Sequence, residues 1–376
     1  MKEKKSVFII YERYYDFDNK RLVTGGVQTY LSNLIPLFVL REYDVKLYQG
    51  GFECNSIRLD NCVVYSVKGS YRDGKYYIKK ILNEAMKTFD QESDLLLFAD
   101  NCCTIKNNAK YCLAIQHGIS WDIPRKNRFS DWLMAFFSAY KTYREHKKLN
   151  YVHRLICVDY NFPNWYKAQV DEPKCPLTVI PNFTQIVKRR SIDTNDNDNV
   201  SIIFARRFVP HRGTRVFANA IERILREYTD VKVTIAGRGP DEKFLHEHLD
   251  CWGKRISFIQ YTSDESIKIH QQHDIAVIPT VGSEGTSLSL LEAMAAGCAV
   301  ICTEVGGMTN IVLNSYNGLM IAPGNDNKLY FAIKHLIDNP TERLNLSKCG
   351  YDTVKKAFSY GTWKNAWLSV IDDITV

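Results

Sequence analysis

The 376-residue sequence has no apolar run approaching the roughly 20 residues needed to span a bilayer. Its start, MKEKKSVFIIY, carries a basic prelude but only a strand-length apolar run, too short for a secretory signal, so the expected location is the cytoplasm. It has no C-x-x-C pair. Its eleven cysteines, an odd number, lie mostly in apolar segments such as 155–158 and 299–303, and read as small core residues in a reducing compartment. Cys102 and Cys103 are adjacent, but without a nearby histidine they make a poor metal site, and no metal cluster is expected. Nucleic-acid motifs are lacking, as is a convincing D-x-D metal signature. What is present, 45% hydrophobic and 24% charged residues, suits two soluble globular domains of ordinary size.

The stretch 275–307, IAVIPTVGSEGTSLSLLEAMAAGCAVICTEVGG, is the densest in signals. An apolar run ending at Pro279 reads as a buried parallel strand, and the small polar residues 282–287 as a loop. From about Ser287, Leu288, Leu291 and Ala295 recur at helical spacing; Gly297 ends that helix and the next strand begins at Ala299. A helix start at the carboxyl edge of a parallel sheet presents unpaired N–H groups and the positive end of a dipole, the arrangement that binds phosphate. A phosphate there would meet the amides near Thr286, Ser287 and Leu288, with Glu284 before the helix and Glu292 within it able to reach polar groups on either side. A sugar nucleotide has hydroxyls on both sides of its diphosphate. The alternative is a helix starting at Ser289, Glu292 closing an S-x-x-E capping box and Glu284 a solvated loop acid.

The segment E-G-T-S-L-S-L-L-E-A-M-A-A-G resembles the E-x7-E signature of retaining glycosyltransferases of the large GT-B family four, with the same spacing of the two acids. The likeness continues through Val305-Gly306-Gly307 and Asn317-Gly318-Leu319. Thr286-Ser287 departs from the usual Phe-Gly. The resemblance implies an α/β chain of GT-B fold, two Rossmann-like domains facing a central cleft. Residues 1–187 would be the acceptor-binding domain, 188–199 a polar linker, 200–357 the nucleotide-sugar-binding domain, and 358–376 a helix crossing back to the first domain.

Strands alternating with helices along the whole chain agree with parallel, doubly wound sheets. In the first half, Gly25 and Gly26 open a helix carrying Val27, Leu31, Leu34 and Ile35, either as a plain turn or as a close backbone approach to a ligand. The segment GGVQTYLSNL is similar to the family's glycine-rich turn beside the donor diphosphate. A helix is expected near 75–89. His117 ends the strand before Trp121-Asp122; a histidine there either satisfies a local hydrogen bond or, as the resemblance implies, contacts the donor sugar. From Arg125 to Arg154, eight Lys/Arg face only Asp131 and Glu145 and interleave with Phe129, Trp132, Phe136, Phe137, Tyr140 and Tyr143. Such a helix either lies on an anionic membrane or turns its aromatic face to the core. Pro181-Asn182-Phe183 resembles the segment closing the first domain.

In the second half, Arg206-Arg207 and Pro210-His211-Arg212-Gly213 resemble G-R-L-x-P-x-K-G, with Arg207 on the arginine and Arg212 on the lysine. Two cations from one loop can neutralise a departing diphosphate. Gly237 and Gly239 fit a tight turn beside a nucleotide. The implied function is metal-independent, retaining transfer of a sugar from a UDP- or GDP-sugar to a glycan or lipid-linked acceptor, in capsule or lipopolysaccharide assembly. His117, Glu284, Arg207 and Arg212 would serve catalysis and Glu292 the ribose. The basic segment would hold the chain peripherally at the inner face of the plasma membrane. A sugar-nucleotide epimerase of the same architecture and a non-catalytic nucleotide-binding partner subunit are the rivals.

Overall fold

The computed structural model describes residues 5–17, 21–23, 25–118, 131–189, 200–282 and 284–374. Trp121, Asp122 and most of the expected linker, 190–199, lie outside them. The chain divides into two compact units, Met1–His117 with Lys126–Ile180 and Lys364–Val376, and Gly118–Arg125 with Pro181–Trp363.

The first unit runs β1 (Ser6–Ile10), α1 (Gly26–Leu40), β2 (Asp44–Gly51), β3 (Asn55–Arg58), β4 (Val63–Lys68), a hairpin of β5 (Tyr71–Arg72) and β6 (Lys75–Tyr76), α2 (Ile78–Ala85), β7 (Leu95–Phe98), β8 (Tyr111–Gln116), α3 (Asp131–Lys148), β9 (Arg154–Cys157), α4 (Asn161–Lys167) and β10 (Leu177–Val179). Its eight-stranded sheet has the order β10-β9-β8-β7-β1-β2-β4-β3. The pairings are parallel except at the edge, where β3 runs antiparallel to β4. The helix expected near 75–89 is shorter, because Lys75 and Tyr76 pair back onto Tyr71 and Arg72 and the helix begins only at Ile78.

The second unit runs β11 (Ser201–Ala205), α5 (Thr214–Glu227), β12 (Lys232–Ala236), α6 (Glu242–Leu249), β13 (Ile256–Ile259), α7 (Ser266–His270), β14 (Ile275–Ile278), α8 (Leu288–Ala296), β15 (Ala299–Thr303), β16 (Leu319–Ile321), α9 (Asp326–Asp338) and α10 (Pro340–Ala357). Its sheet is all parallel, in the order β13-β12-β11-β14-β15-β16. Alternation along β11 explains the layers: Ile202 and Phe204 join the core under α5, α6 and α9, while Ile203 and Ala205 join the core under α8. Phe204 stacks on Phe217 of α5 with centroids 4.6 Å apart, each side chain contributing about 1.5–3 kcal/mol of burial.

The unit division falls within the last helix, α11 (Tyr360–Ile374). Its Trp367 is fully buried in the first unit and donates Nε1–H to Tyr30 Oη of α1 at 2.7 Å. Among the described residues no helix is long and apolar enough to cross a membrane. All eleven cysteines are free thiols; Cys54, Cys102 and Cys251 are exposed.

Candidate active site

In the second unit β11 and β14 are neighbours, yet the chain continues from β11 to β12 and β13 on one side and from β14 to β15 and β16 on the other. Loops leaving such a pair of strands diverge, and the crevice between them is where open α/β sheets take ligands. Arg206 leaves the end of β11, and Thr280 and Glu284 follow β14.

These side chains converge. Glu284 Oε2 accepts from Arg206 Nη2 at 2.7 Å and from Thr280 Oγ1 at 3.0 Å, and Arg212 Nη1 donates to the same oxygen. Arg206 Nη1 also donates to Thr280 Oγ1 at 2.6 Å. Burial pushes the Glu284 carboxyl up, but the two guanidiniums outweigh it and hold the group below the usual carboxylate range. Burial is also the main cause that lowers Arg212. Glu284 is therefore a fixed, ionised carboxylate at the switch point, not the solvated loop acid of the alternative reading.

Arg207, the residue that the motif's spacing assigns to the diphosphate, is exposed, and Arg206 takes the buried place beside Glu284. Successive residues of an extended chain point to opposite faces, so only one of two adjacent arginines at the strand end can turn inward. Arg207 stays close enough for its charge to depress Arg212 and His211.

The loops around Glu284 touch backbone to backbone. Gly213, at φ +82°, lies where a Cβ would overlap the carbonyl of Pro279, and Gly306, at φ +55°, where one would overlap the carbonyl of Glu284. Only glycine accepts both the left-handed backbone and that approach. Gly237 and Gly239 press in the same way on the carbonyls of Arg206 and Phe208, so the turn they form supports the arginine-bearing loop.

Helix α8 begins at Leu288 with Ser287 as its N-cap, and Ser287 makes no side-chain cap bond. Ser289 and Glu292 thus lie inside the helix, which removes the capping-box alternative. Thr286 and Ser287 are buried, and Asn182 Nδ2 donates to the Thr286 carbonyl at 2.7 Å, anchoring the loop before the helix. Glu292 Oε2 instead accepts from Ser266 Oγ, the first residue of α7, at 2.6 Å. Burial lifts Glu292 to about 7, against the Ser266 hydrogen bond and the charge of Arg206. The sequence assigns no site role to Arg206, Thr280, Ser266 or Asn182, although Arg206 and Asn182 lie within quoted motifs; the doubled arginine after a buried strand and the Pro-Asn-Phe segment are the signals that point to them.

Within the first unit, Gly25 is the extended N-cap of α1, and a Cβ on Gly26 would meet nothing within 4 Å. His117 Nε2 donates to the Ala99 carbonyl at 2.9 Å, so one ring nitrogen does satisfy a local hydrogen bond. The ring also meets Tyr30 edge-on with centroids 5.1 Å apart. Burial lowers its pKa, against the charge of Asp100 and the bond to Ala99, leaving a neutral imidazole whose Nδ1 is an acceptor. On α3, Phe136, Phe137, Tyr140 and Tyr143 are all exposed, so these rings do not face a core.

Residues 199–339 match the family model of glycosyl transferases group 1. That segment holds every charged residue of the network. Among curated proteins, the chain is 27% identical over 354 residues to the uncharacterized glycosyltransferase MJ1178 of Methanocaldococcus jannaschii, covering 88% of this chain and 90% of that one. Two further relatives match in part. MJ1607 of the same organism is 29% identical over 40% of this chain and 39% of its own length. The lipopolysaccharide core biosynthesis glycosyltransferase LpsD of Rhizobium meliloti is 28% identical over 53% of this chain and 58% of its own. Sucrose-phosphate synthase from Thermosynechococcus elongatus superposes with a TM-score of 0.76 at 16% identity, covering 98% of this chain and 99% of that one. Anabaena HepE, solved with UDP-glucose, gives 0.72 at 15% identity over 98% and 99%. These likenesses establish the fold, which is GT-B.

Proposed function

We propose that the chain is a retaining glycosyltransferase that moves a sugar from a UDP- or GDP-sugar to a glycan or lipid-linked acceptor of a cell-surface polysaccharide. The observation that carries this reading is the ionised Glu284 held by Arg206, Thr280 and Arg212 beside the start of α8, within the segment that matches the group 1 family. The match favours transfer over epimerisation.

In this reading Glu292, oriented by Ser266, accepts hydrogen bonds from the ribose hydroxyls. Arg212 and Arg207, with the amides of Thr286 to Leu288, neutralise the diphosphate. Glu284 accepts from hydroxyls of the donor sugar, its rotamer locked by Arg206. His117, which the resemblance assigns to the donor sugar, keeps Nδ1 as a hydrogen-bond acceptor. The bond from the anomeric carbon to the phosphate oxygen breaks, that oxygen takes the proton of the acceptor hydroxyl, and the acceptor oxygen bonds the anomeric carbon on the same face. The products are a glycoside and a nucleoside diphosphate. Arginine cations and the helix dipole stabilise the leaving charge without a divalent metal. The exposed rings of α3, with the exposed Lys141, Arg144 and Lys147, suit an anionic membrane surface where lipid-linked acceptors reside.

The test is a thermal-shift panel of UDP-, GDP-, ADP- and dTDP-sugars without metal, on the wild type and on Glu292→Ala. A rise in melting temperature with one nucleotide, lost in the variant, supports the donor site and names the base. No rise with any of them overturns it.

A further inference from the structure

The first unit has its own switch point. From β1 the chain continues to β2 on one side, while β7 pairs on the other side of β1 and leads to β8 and β9. Ile10 and Phe98 are register partners at the two strand ends, so the residues that follow, Glu12 on one loop and Asp100 to Cys103 on the other, emerge side by side. The Glu12 carbonyl accepts from Gly50 N at 2.9 Å, which fixes its backbone. The second loop is a single turn of 3-10 helix, Asn101–Cys103, with Asp100 Oδ1 accepting from Cys102 N at 2.8 Å. That turn points two adjacent cysteines the same way, where an extended backbone would splay them apart.

One Glu12 carboxylate oxygen and the two thiol sulfurs lie within 4.8 Å of one another. The Sγ atoms are 3.7 Å apart. A disulfide would hold them at about 2.05 Å. Two thiolates bound to one tetrahedral zinc, each about 2.3 Å from the ion, sit about 3.75 Å apart. The 3.7 Å contact, a thiol–thiol hydrogen bond as it stands, matches the second spacing and not the first, so both sulfurs can bond one ion with little rearrangement. Cys103 is buried at the base of the group and Cys102 is exposed at its mouth, which leaves a side open for a fourth ligand from solvent. Among the described residues neither Glu12 nor Asp100 has an ion-pair partner, so the group gathers negative charge and soft sulfur with no protein cation to balance them. From sequence alone the cysteine pair has no third ligand. The fold supplies one from ninety residues away, which changes the assessment of that pair.

We propose that Glu12, Cys102 and Cys103 bind one soft divalent cation of the zinc type, each thiol releasing its proton to solvent as its sulfur bonds the ion. The site belongs to the first unit and is separate from the leaving-group chemistry proposed for the second.

The experiment titrates cobalt(II) into the reduced full chain and reads thiolate-to-cobalt charge-transfer absorbance, which needs no transfer reaction. The expected result is a band that saturates at one cobalt per chain and is bleached by zinc. It should vanish in Cys102→Ser, whose exposed position spares the fold. It should need about tenfold more cobalt in Glu12→Gln, and stay unchanged in Cys54→Ser and Cys251→Ser. No band, a band that survives Cys102→Ser, one that zinc does not bleach, or Glu12→Gln titrating like the wild type would overturn the proposal.

Discussion

Arg206 Nη2 and Glu284 Oε2 meet 2.7 Å apart with both side chains at least nine-tenths buried, one from the end of β11 and the other from the loop after β14. A buried ion pair of this kind contributes little net stability over an apolar replacement, yet removal of one partner leaves the other charge buried. Arg206→Leu should therefore cost about 3–5 kcal/mol in urea unfolding, and Arg206→Leu combined with Glu284→Leu should recover most of that loss. A single-variant loss below about 1 kcal/mol would mean that the pair is not closed in solution.

Glu292 gives a pH dependence of definite sign. Its folded pKa, raised to about 7 by burial, lies above the unfolded value, so the native state holds the proton more tightly. The stability tied to this proton is fully present below the unfolded pKa and is lost as pH rises through about 7. Melting temperatures of the wild type and Glu292→Gln should match near pH 5, and the variant should gain steadily towards about pH 8. Nucleotide affinity of the wild type should rise over the same window, because ribose hydroxyls bind the carboxylate form. Parallel melting curves for the two proteins across that range would refute the assignment.

Two glycines with left-handed backbone separate strain from collision. Gly324 has φ +74° and open space where a Cβ would project, whereas Gly306 has φ +55° and the Glu284 carbonyl in that place. Gly324→Ala should cost about 1–2 kcal/mol from backbone strain alone. Gly306→Ala should cost more and also abolish the nucleotide-induced thermal shift, since the Glu284 loop has to move. Equal losses in the two variants, with binding intact, would contradict the backbone contact.

Membrane attachment through α3 predicts separate effects of charge and of rings. Converting Lys141, Arg144 and Lys147 to Gln should weaken sedimentation with anionic vesicles and flatten its salt dependence. Phe136→Ser with Phe137→Ser should weaken it at every salt concentration. Vesicle binding unaltered in both variants would rule the helix out.

The sequence already made much of the second unit readable. The strand, loop and helix around Glu284 and Glu292 follow from periodicity and glycine placement, and α8 starts within one residue of the expected position. Arg206 was not readable, because spacing to Arg212 favoured Arg207 and only strand direction decides which of two neighbouring arginines turns inward. Ser266 as the partner of Glu292 depends on α7 lying against α8, a tertiary contact with no local signature. Glu12 beside Cys102 and Cys103 likewise arises from parallel pairing of β1 with β7, across a long sequence gap. The antiparallel β3 went unread for the opposite reason, being short, polar and exposed.

The distribution of thiols has a practical consequence. A maleimide dye needs an accessible thiolate, and most of the cysteines here are buried, with Cys62 pushed up to about 11 and Cys302 to about 12. Once Cys102 is changed to serine, the exposed thiols are Cys54 in one unit and Cys251 in the other. That single substitution leaves one exposed attachment point on each unit for a fluorescent donor and acceptor, and single-molecule energy transfer can follow their separation as nucleotide is added with no cysteine introduced.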